Sequence, residues 1–375
     1  MKKILILNRS SSVGGIEKSL INFLNYVVKK DCEVDLLIWN EPDLLYDQIP
    51  KGVNVLPSPR IELKEKMKSR NPLIRIISCI WYLFYKIEIK MCHGWRAFPK
   101  LKKHYDVGIS YCQNGYSPYY LIDNTNCDKK IVFYHHGEYV QINKNDKYYY
   151  SQFDEVVAVS ESVKSLLIKE FPDIENSIKI IHNMTNFDEV LELSMQTVDD
   201  MDYEGLKILT VARMSEEKGY DYAVDAAKKL EEKEIKFRWY FVGSGNYEII
   251  MRKRVEESGI KSIIFLGEIK NPYPYMKKCD LYVQPSKFEA FGLTVQEALL
   301  LGKVVVVTDI PTFRNMVLNN NAGPVGIIKS PDDISEGIIE LIYDNSLKKT
   351  LENNVSKLIF SNGESQRRID ELIGF

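Results

Sequence analysis

The sequence predicts an α/β protein of two domains, each a parallel sheet flanked by helices. Short apolar runs alternate with stretches of helical period along the whole chain, which is the signature of βαβ units. At 375 residues the chain exceeds one ordinary domain, yet each of two domains can bury its own core. A polar, acidic stretch from Met195 to Gly205 (MQTVDDMDYEG) then interrupts the rhythm before it restarts at Lys207, and such a break marks a boundary. Residues 1–195 and 196–375 are therefore assigned to the two domains, with the last helix free to pack back on the first.

The elements follow in order. Lys3–Leu7 reads as a first buried strand, because its four consecutive apolar residues, Ile4 to Leu7, are too few for a signal-peptide core. The helix from Ile16 to about Lys29 places Ile16, Leu20, Leu24, Val27 and Val28 on one face, and that face should cover the sheet. Further strands are expected at Val34–Trp39, Val107–Ser110, Ile131–Tyr134, Val156–Val159 and Ile178–Ile181. The second domain should contribute Lys207–Ala212, Phe237–Val242, Ile263–Leu266, Leu281–Gln284 and Val304–Val307, with three helical stretches closing the chain.

Composition narrows the function. Hydrophobic residues make up 45% and charged residues 27%, as in ordinary soluble proteins. The net charge of −2 comes from 50 basic and 52 acidic residues, which gives no reason to expect a nucleic-acid partner. Cys32, Cys79, Cys92, Cys112, Cys127 and Cys279 show no C-x-x-C spacing, so neither a zinc site nor a disulfide framework is expected, and a reducing cytosol is the simplest compartment. One segment departs from neutrality. Between Arg60 and His104 there are twelve Lys or Arg and three Glu, interleaved with the apolar run Ile76–Tyr85 (IISCIWYLFY). A ten-residue run cannot span a bilayer, which needs about twenty. Two readings stand: an amphipathic element lying on anionic lipid, or a helix whose apolar face packs into its own domain.

Candidate chemistry gathers at the ends of strands, where open α/β sheets bind ligands. The loop Ser10-Ser11-Ser12-Val13-Gly14-Gly15-Ile16-Glu17 joins a strand to a helix, and Gly14 and Gly15 let its backbone approach an anion at the helix start. It lacks the G-x-G-x-x-G spacing of dinucleotide binding. In the second domain VARMSEEKG places Arg213 and Lys218 just beyond a strand, where two cations could neutralise a diphosphate. FVGSGN follows the next strand with Gly243 and Gly245.

The stretch from Pro285 to Gly302 is the richest. Glu289 and Glu297 flank Phe291-Gly292-Leu293-Thr294 as the chain enters a helix, whose unpaired N–H groups suit a phosphate while carboxylates accept from sugar hydroxyls. Thr294-Val295-Gln296-Glu297 is equally a capping box, with Glu297 returning to the backbone of Thr294. Tyr134-His135-His136-Gly137-Glu138 ends a first-domain strand, and either histidine could face a ligand. Asp200-Met201-Asp202 has the D-x-D pattern of metal-bound nucleotide sugars but no strand leads into it, so it reads as solvated charge.

Taken together, the stretch Val211–Gly219, then VGSGN, then FEAFGLTVQEAL resembles family 4 of the nucleotide-sugar glycosyltransferases, across roughly Lys207–Thr308. The likeness continues more weakly through VGGIEKSL, the His135 strand end and VAVSESVKSLL. It implies the GT-B fold, two Rossmann-like domains facing a central cleft, and transfer of a hexose-type sugar with retention, without metal or other cofactor. By position it implies that Arg213 and Lys218 hold the donor diphosphate, Glu297 the ribose and Glu289 the donor sugar. The Gly292–Thr294 backbone, beside Phe291 and Leu293, would lie near the phosphates with Gly243, His135 by the reacting carbon, and Gly14 and Gly15 toward the phosphate from the first domain. The implied partners are a nucleotide-sugar donor, UDP-linked by preference, and a glycan acceptor, lipid-linked at the inner face of a bacterial cell membrane. A sugar-nucleotide epimerase of the same shape and a non-catalytic nucleotide-sugar-binding partner are the alternatives.

Overall fold

The computed structural model describes residues 1–10, 14–41, 46–90, 94–113, 115–141 and 144–375. Ser11, Ser12 and Val13 of the first loop, and Cys92, lie outside them. The chain forms two units, Met1–Thr185 with Asn362–Phe375, and Asn186–Ser361.

The first unit contains β1 (Lys2–Asn8), β2 (Cys32–Ile38), β3 (Val53–Leu56), β4 (His104–Ser110), β5 (Asn126–Tyr134), β6 (Glu155–Ala158) and β7 (Ile178–Ile180). They form one sheet in the order β3-β2-β1-β4-β5-β6-β7. Every pairing is parallel. Its helices are α1 (Gly15–Val27), α2 (Pro59–Lys66), α3 (Pro72–Lys90), α4 (Ser117–Asn124), α5 (Asp146–Tyr150) and α6 (Glu161–Glu170). Sheets covered on both faces read as continuous apolar runs, and Ile4 to Leu7 are indeed fully buried. On α1 the buried face is Ser19, Leu20, Phe23, Leu24 and Val27, the i, i+4, i+8 stripe of a helix laid on a sheet.

The second unit holds β8 (Leu206–Val211), β9 (Phe237–Val242), β10 (Ile263–Gly267), β11 (Leu281–Gln284), β12 (Val305–Thr308) and β13 (Gly326–Lys329). Their order is β10-β9-β8-β11-β12-β13, again all parallel. Its helices are α7 (Phe187–Leu193), α8 (Tyr220–Glu232), α9 (Glu248–Ser258), α10 (Tyr273–Lys278), α11 (Leu293–Leu300), α12 (Pro311–Val317), α13 (Ile334–Tyr343) and α14 (Asn345–Val355). The strand order reverses direction between β1 and β4 in one sheet and between β8 and β11 in the other. A crevice opens at the carboxyl end of such a switch point, so the topology alone says where ligands should lie in each unit.

The final helix, α15 (Gly363–Ile373), packs in the first unit. Ile369, Leu372 and Ile373 are buried in its core, and Asp370 accepts from Tyr26 Oη and Lys30 Nζ, each at 2.8 Å. The unit changes at Thr185/Asn186, about ten residues before the acidic stretch. The reason is packing: α7 lies against α10 and α11, and Asn271 Nδ2 donates to the Leu193 carbonyl at 3.0 Å. The acidic stretch is not merely solvated either. Tyr275 Oη donates to Asp200 at 2.9 Å and Lys278 pairs with Asp202, while Met201 between them is fully buried. No disulfide joins the described cysteines.

Candidate functional site at the strand ends

In the second unit three loops crowd together beyond β8, β9 and β11. Gly219 has φ +68°, and a Cβ there would stand 1.8 Å from the Pro285 carbonyl oxygen. Gly243, at φ +136°, would place a Cβ 1.9 Å from the Ala212 oxygen. Only glycine permits these approaches. Backbone bonds then stitch the loops: Met214 N to Ser244 O at 2.8 Å, Tyr247 N to Met214 O at 3.0 Å, and Lys287 N to Glu217 O at 2.9 Å.

This crowding brings together residues more than seventy positions apart. Lys218 Nζ lies 2.7 Å from Glu289 Oε1, with both side chains largely buried. Arg213 is mostly exposed and pairs with Glu217 at 2.9 Å. Both cations expected to hold an anion thus sit at the β8/β11 switch point, each balanced by a carboxylate. The exposed Arg213 pair contributes little to folding, whereas the largely buried Lys218–Glu289 pair would leave an uncompensated charge if one partner were removed.

Helix α11 begins at Leu293, with Gly292 as its N-cap at φ +84° and no side-chain cap bond. The capping box therefore does not form. Thr294 instead donates to Gln284 Oε1 at 3.3 Å, and Glu297, only 5% exposed, accepts from Tyr273 Oη at 3.0 Å. Burial and the adjacent Glu297 charge push the Tyr273 hydroxyl far up, so it remains a proton donor. Phe291 and Leu293 are half-buried beside Gly292.

In the first unit Gly14 is the N-cap of α1, extended and again without a side-chain cap, and Gly15 is the first helical residue. Below them Ser19 Oγ lies 2.8 Å from Tyr111 Oη and donates to Asn183 Oδ1 at 3.0 Å. The Tyr111 ring sits 5.0 Å from the His135 ring, which also stacks on Phe133. His135 is 7% exposed, and its ring nitrogens lie near the Tyr111 backbone and the Asn183 side chain without a well-aligned hydrogen bond to either. Burial pushes its pKa down to about 4, against smaller upward contributions from Tyr111 and Asn183. The adjacent Gln113 accepts from the His135 backbone N–H at 3.0 Å and has an unpaired Nε2. Unpaired buried polar atoms are few in folded proteins, and each calls for an explanation. His136 differs: it is half-buried, with Nδ1 3.0 Å from the Glu138 carbonyl.

The basic aromatic segment takes shape as α2 and α3. Pro72 opens α3, and the Asn71 side chain accepts from Leu73 N at 3.0 Å, the usual N-cap and first-turn proline. Ser78 and Tyr85 are buried and Tyr82 half-buried, all on one face. Leu73, Ile76, Ile80, Leu83, Phe84 and Ile87 are all exposed. At 100° per residue they fall opposite the buried face, with Arg75 and Lys86 on one flank. Packing into its own unit therefore accounts for one narrow stripe only. Exposed apolar surface of this extent marks an interaction site. No helix among the described residues is long and apolar enough to cross a membrane.

With this geometry in view, two family models match the chain: one described as Glycosyltransferase Family 4 over residues 13–189, and one as Glycosyl transferases group 1 over residues 200–358. An uncharacterized glycosyltransferase of Methanocaldococcus jannaschii is 28% identical over 229 residues, which is 58% of this chain and 60% of that protein. Two more from the same organism match over 55% and 44% of theirs, so the chain spans about half the length of these curated relatives. The N-acetylgalactosamine-N,N'-diacetylbacillosaminyl-diphospho-undecaprenol 4-alpha-N-acetylgalactosaminyltransferase of Campylobacter jejuni is 22% identical over 361 residues, 94% of this chain and 93% of that one. Anabaena HepE, solved in complex with UDP-glucose, has a TM-score of 0.72 at 17% identity, covering all of both chains. That likeness is one of fold.

The His135 environment makes a direct prediction. Its folded pKa lies below the unfolded value of about 6.5, so the ring is neutral at pH 7 and the unfolded chain binds the extra proton between the two values. The stability contributed by the neutral ring is complete above about pH 6.5 and is lost as pH falls toward 4. Nitrogen-resolved NMR of the histidine rings should find His135 neutral down to about pH 5. A ring titrating near 6.5 contradicts the buried environment.

Proposed function

The chain belongs to glycosyltransferase family 4 and has the GT-B fold, and we propose that it transfers a sugar, with retention of anomeric configuration, from a nucleotide diphosphate sugar to a glycan acceptor. The observation that carries this reading is the meeting of Lys218 and Glu289 at the β8/β11 switch point, with Arg213 beside them and the uncapped start of α11 close in sequence. A retaining transfer breaks the bond between the anomeric carbon and the diphosphate oxygen, forms one from that carbon to an acceptor hydroxyl oxygen, and releases the hydroxyl proton, which the departing diphosphate can accept. Charge develops on the departing diphosphate. Two cations and the free N–H groups at Gly292–Thr294 are suited to stabilise it without a metal.

Each residue takes a role on physical grounds. Lys218 and Arg213 exchange their carboxylate partners for diphosphate oxygens, and Gly243, whose missing Cβ admits the Ala212 carbonyl, keeps the loop after β9 against the Arg213 loop. Glu289, released from Lys218, accepts hydroxyls of the transferred sugar. Glu297 is assigned to the ribose, with Tyr273 holding one of its oxygens. His135, neutral at pH 7, suits a sugar hydroxyl near the reacting carbon because it adds no positive charge there. Gly14 and Gly15 are assigned to the phosphates at the start of α1. The UDP-glucose in the HepE structure favours a uridine donor, and the undecaprenol-linked acceptor in the name of the Campylobacter relative favours a lipid-linked acceptor.

The outward face of α3 supports the second part of the proposal, that the protein works at the inner face of a bacterial membrane. Its apolar residues would enter the lipid boundary while Arg75, Lys86 and the lysines of α2 meet anionic headgroups, at about 1 kcal/mol per basic residue near the surface.

Two experiments test these parts. Arg213→Ala and Lys218→Ala should each weaken calorimetric binding of a nucleoside diphosphate by about tenfold or more, since losing a contact to a charged group costs about 1.5–3 kcal/mol. Thermal stability should barely change in Arg213→Ala, whereas Lys218→Ala should lower it, because Glu289 is left largely buried without its cation. Unchanged affinity in both variants removes the donor-site assignment. For the membrane, wild-type protein should float with phosphatidylglycerol vesicles at low salt and be released as salt rises, whereas Ile80→Glu with Phe84→Glu should stay at the bottom of the gradient. Equal flotation of the variant, or equally poor flotation of wild type with neutral and anionic vesicles, contradicts it.

A further inference from the structure

The strand β11 and the residues just after it carry polar groups where an apolar run belongs. Tyr282, Gln284 and Ser286 alternate at period two, so they share one face, and all three are fully buried. Tyr282 Oη donates to Gln284 Oε1 at 2.9 Å, joined there by Thr294 Oγ1 at 3.3 Å. Gln284 Nε2 donates to Ser286 Oγ at 2.9 Å. Ser286 Oγ then donates to Glu289 Oε1 at 2.9 Å. Tyr282 Oη also lies 3.3 Å from the Val211 carbonyl, and the row ends on a carboxylate, which can only accept. The backbone at its end is held as well: Thr308 bonds the Ser286 carbonyl, and Thr312 Oγ1 donates to the Glu289 carbonyl at 2.7 Å.

We propose that Ser286, held from below by Gln284 and Tyr282, is the positioning residue that keeps the Glu289 carboxylate aimed at the donor sugar after Lys218 has left it for the diphosphate. The inference rests on the donor-sugar role given to Glu289 above. Its physical basis is a division of labour between the two oxygens. Oε1 takes both Lys218 and Ser286, whereas Oε2 has no partner among the described residues. When an anion draws Lys218 away, the Ser286 bond is what still restrains a torsion that is otherwise broad and roughly two-fold. A hydroxyl-to-carboxylate bond is charge-assisted and about twice as strong as a neutral one. Oε2 is then presented to sugar hydroxyls in one orientation, and misplacement of a positioning group by about 1 Å can cost about a hundredfold in rate.

The test is a double-mutant cycle on hydrolysis of whichever sugar the wild type turns over fastest among UDP-, GDP- and dTDP-linked sugars. Ser286→Ala should lower kcat by about tenfold or more while binding of the free nucleoside diphosphate stays within about twofold. Added to Glu289→Gln, it should cause no further loss, because the two residues act as one unit. Gln284→Met and Tyr282→Phe, which remove lower rungs, should give smaller losses in the same parameter. They carry the test should Ser286→Ala fail to fold. A full kcat in Ser286→Ala, or a loss that adds completely to that of Glu289→Gln, overturns the positioning role. A full kcat in Glu289→Gln instead overturns the donor-sugar role of Glu289, a separate outcome.

Discussion

The second unit depends on one close approach, that of Gly219 to the carbonyl of Pro285. A side chain at position 219 would stand 1.8 Å from that oxygen, so any other residue would force the loop after β8 away from the end of β11. Lys218 reaches Glu289 because its neighbour has no Cβ. The same economy recurs at Gly243 against Ala212. What looks in the sequence like flexible loop composition is a steric requirement for three loops to share one edge of the sheet.

The first unit meets a different constraint. Its strand ends bury polar groups without pairing them: both ring nitrogens of His135, Nε2 of Gln113 and Oδ1 of Asn8. Leaving such atoms unpaired costs about 1–3 kcal/mol each, a cost that a polar ligand bonding to them would offset. Ser19, Tyr111 and Asn183 fix the surroundings of the imidazole, so its neutrality is set by burial rather than by a neighbouring charge.

Most of the fold was legible because parallel sheets covered on both faces leave apolar runs. Strands β1, β8, β9 and β11 stand out as ILIL, ILTV, FRWYFV and LYVQ within their neighbourhoods. The two strands that the pattern did not announce, β3 and β13, lie at sheet edges and are short and only partly buried, so their composition carries little contrast. The acidic stretch misled for a related reason: charge suggests solvent, yet Tyr275 and Lys278 draw Asp200 and Asp202 onto α10. In the site, Lys218 and Glu289 were legible from motif position, but their pairing was not, since it depends on a backbone contact between distant loops. Glu297 was ambiguous between cap and ligand. The structure removes the cap by starting α11 at Leu293, two residues earlier than Thr294 would require as N-cap. Ser286 and Gln284 were missed, although polar residues at alternate positions in a buried strand are a readable signal of an internal network.

The most direct measurement is turnover of a panel of nucleotide diphosphate sugars by the purified full chain, followed by product analysis. The account predicts slow release of the nucleoside diphosphate from one donor without added metal, with the freed sugar keeping its starting anomeric configuration when sampled before mutarotation. Release of inverted sugar would contradict retention. Binding without any turnover, or conversion of the donor sugar into its epimer, would contradict the assignment as a transferase.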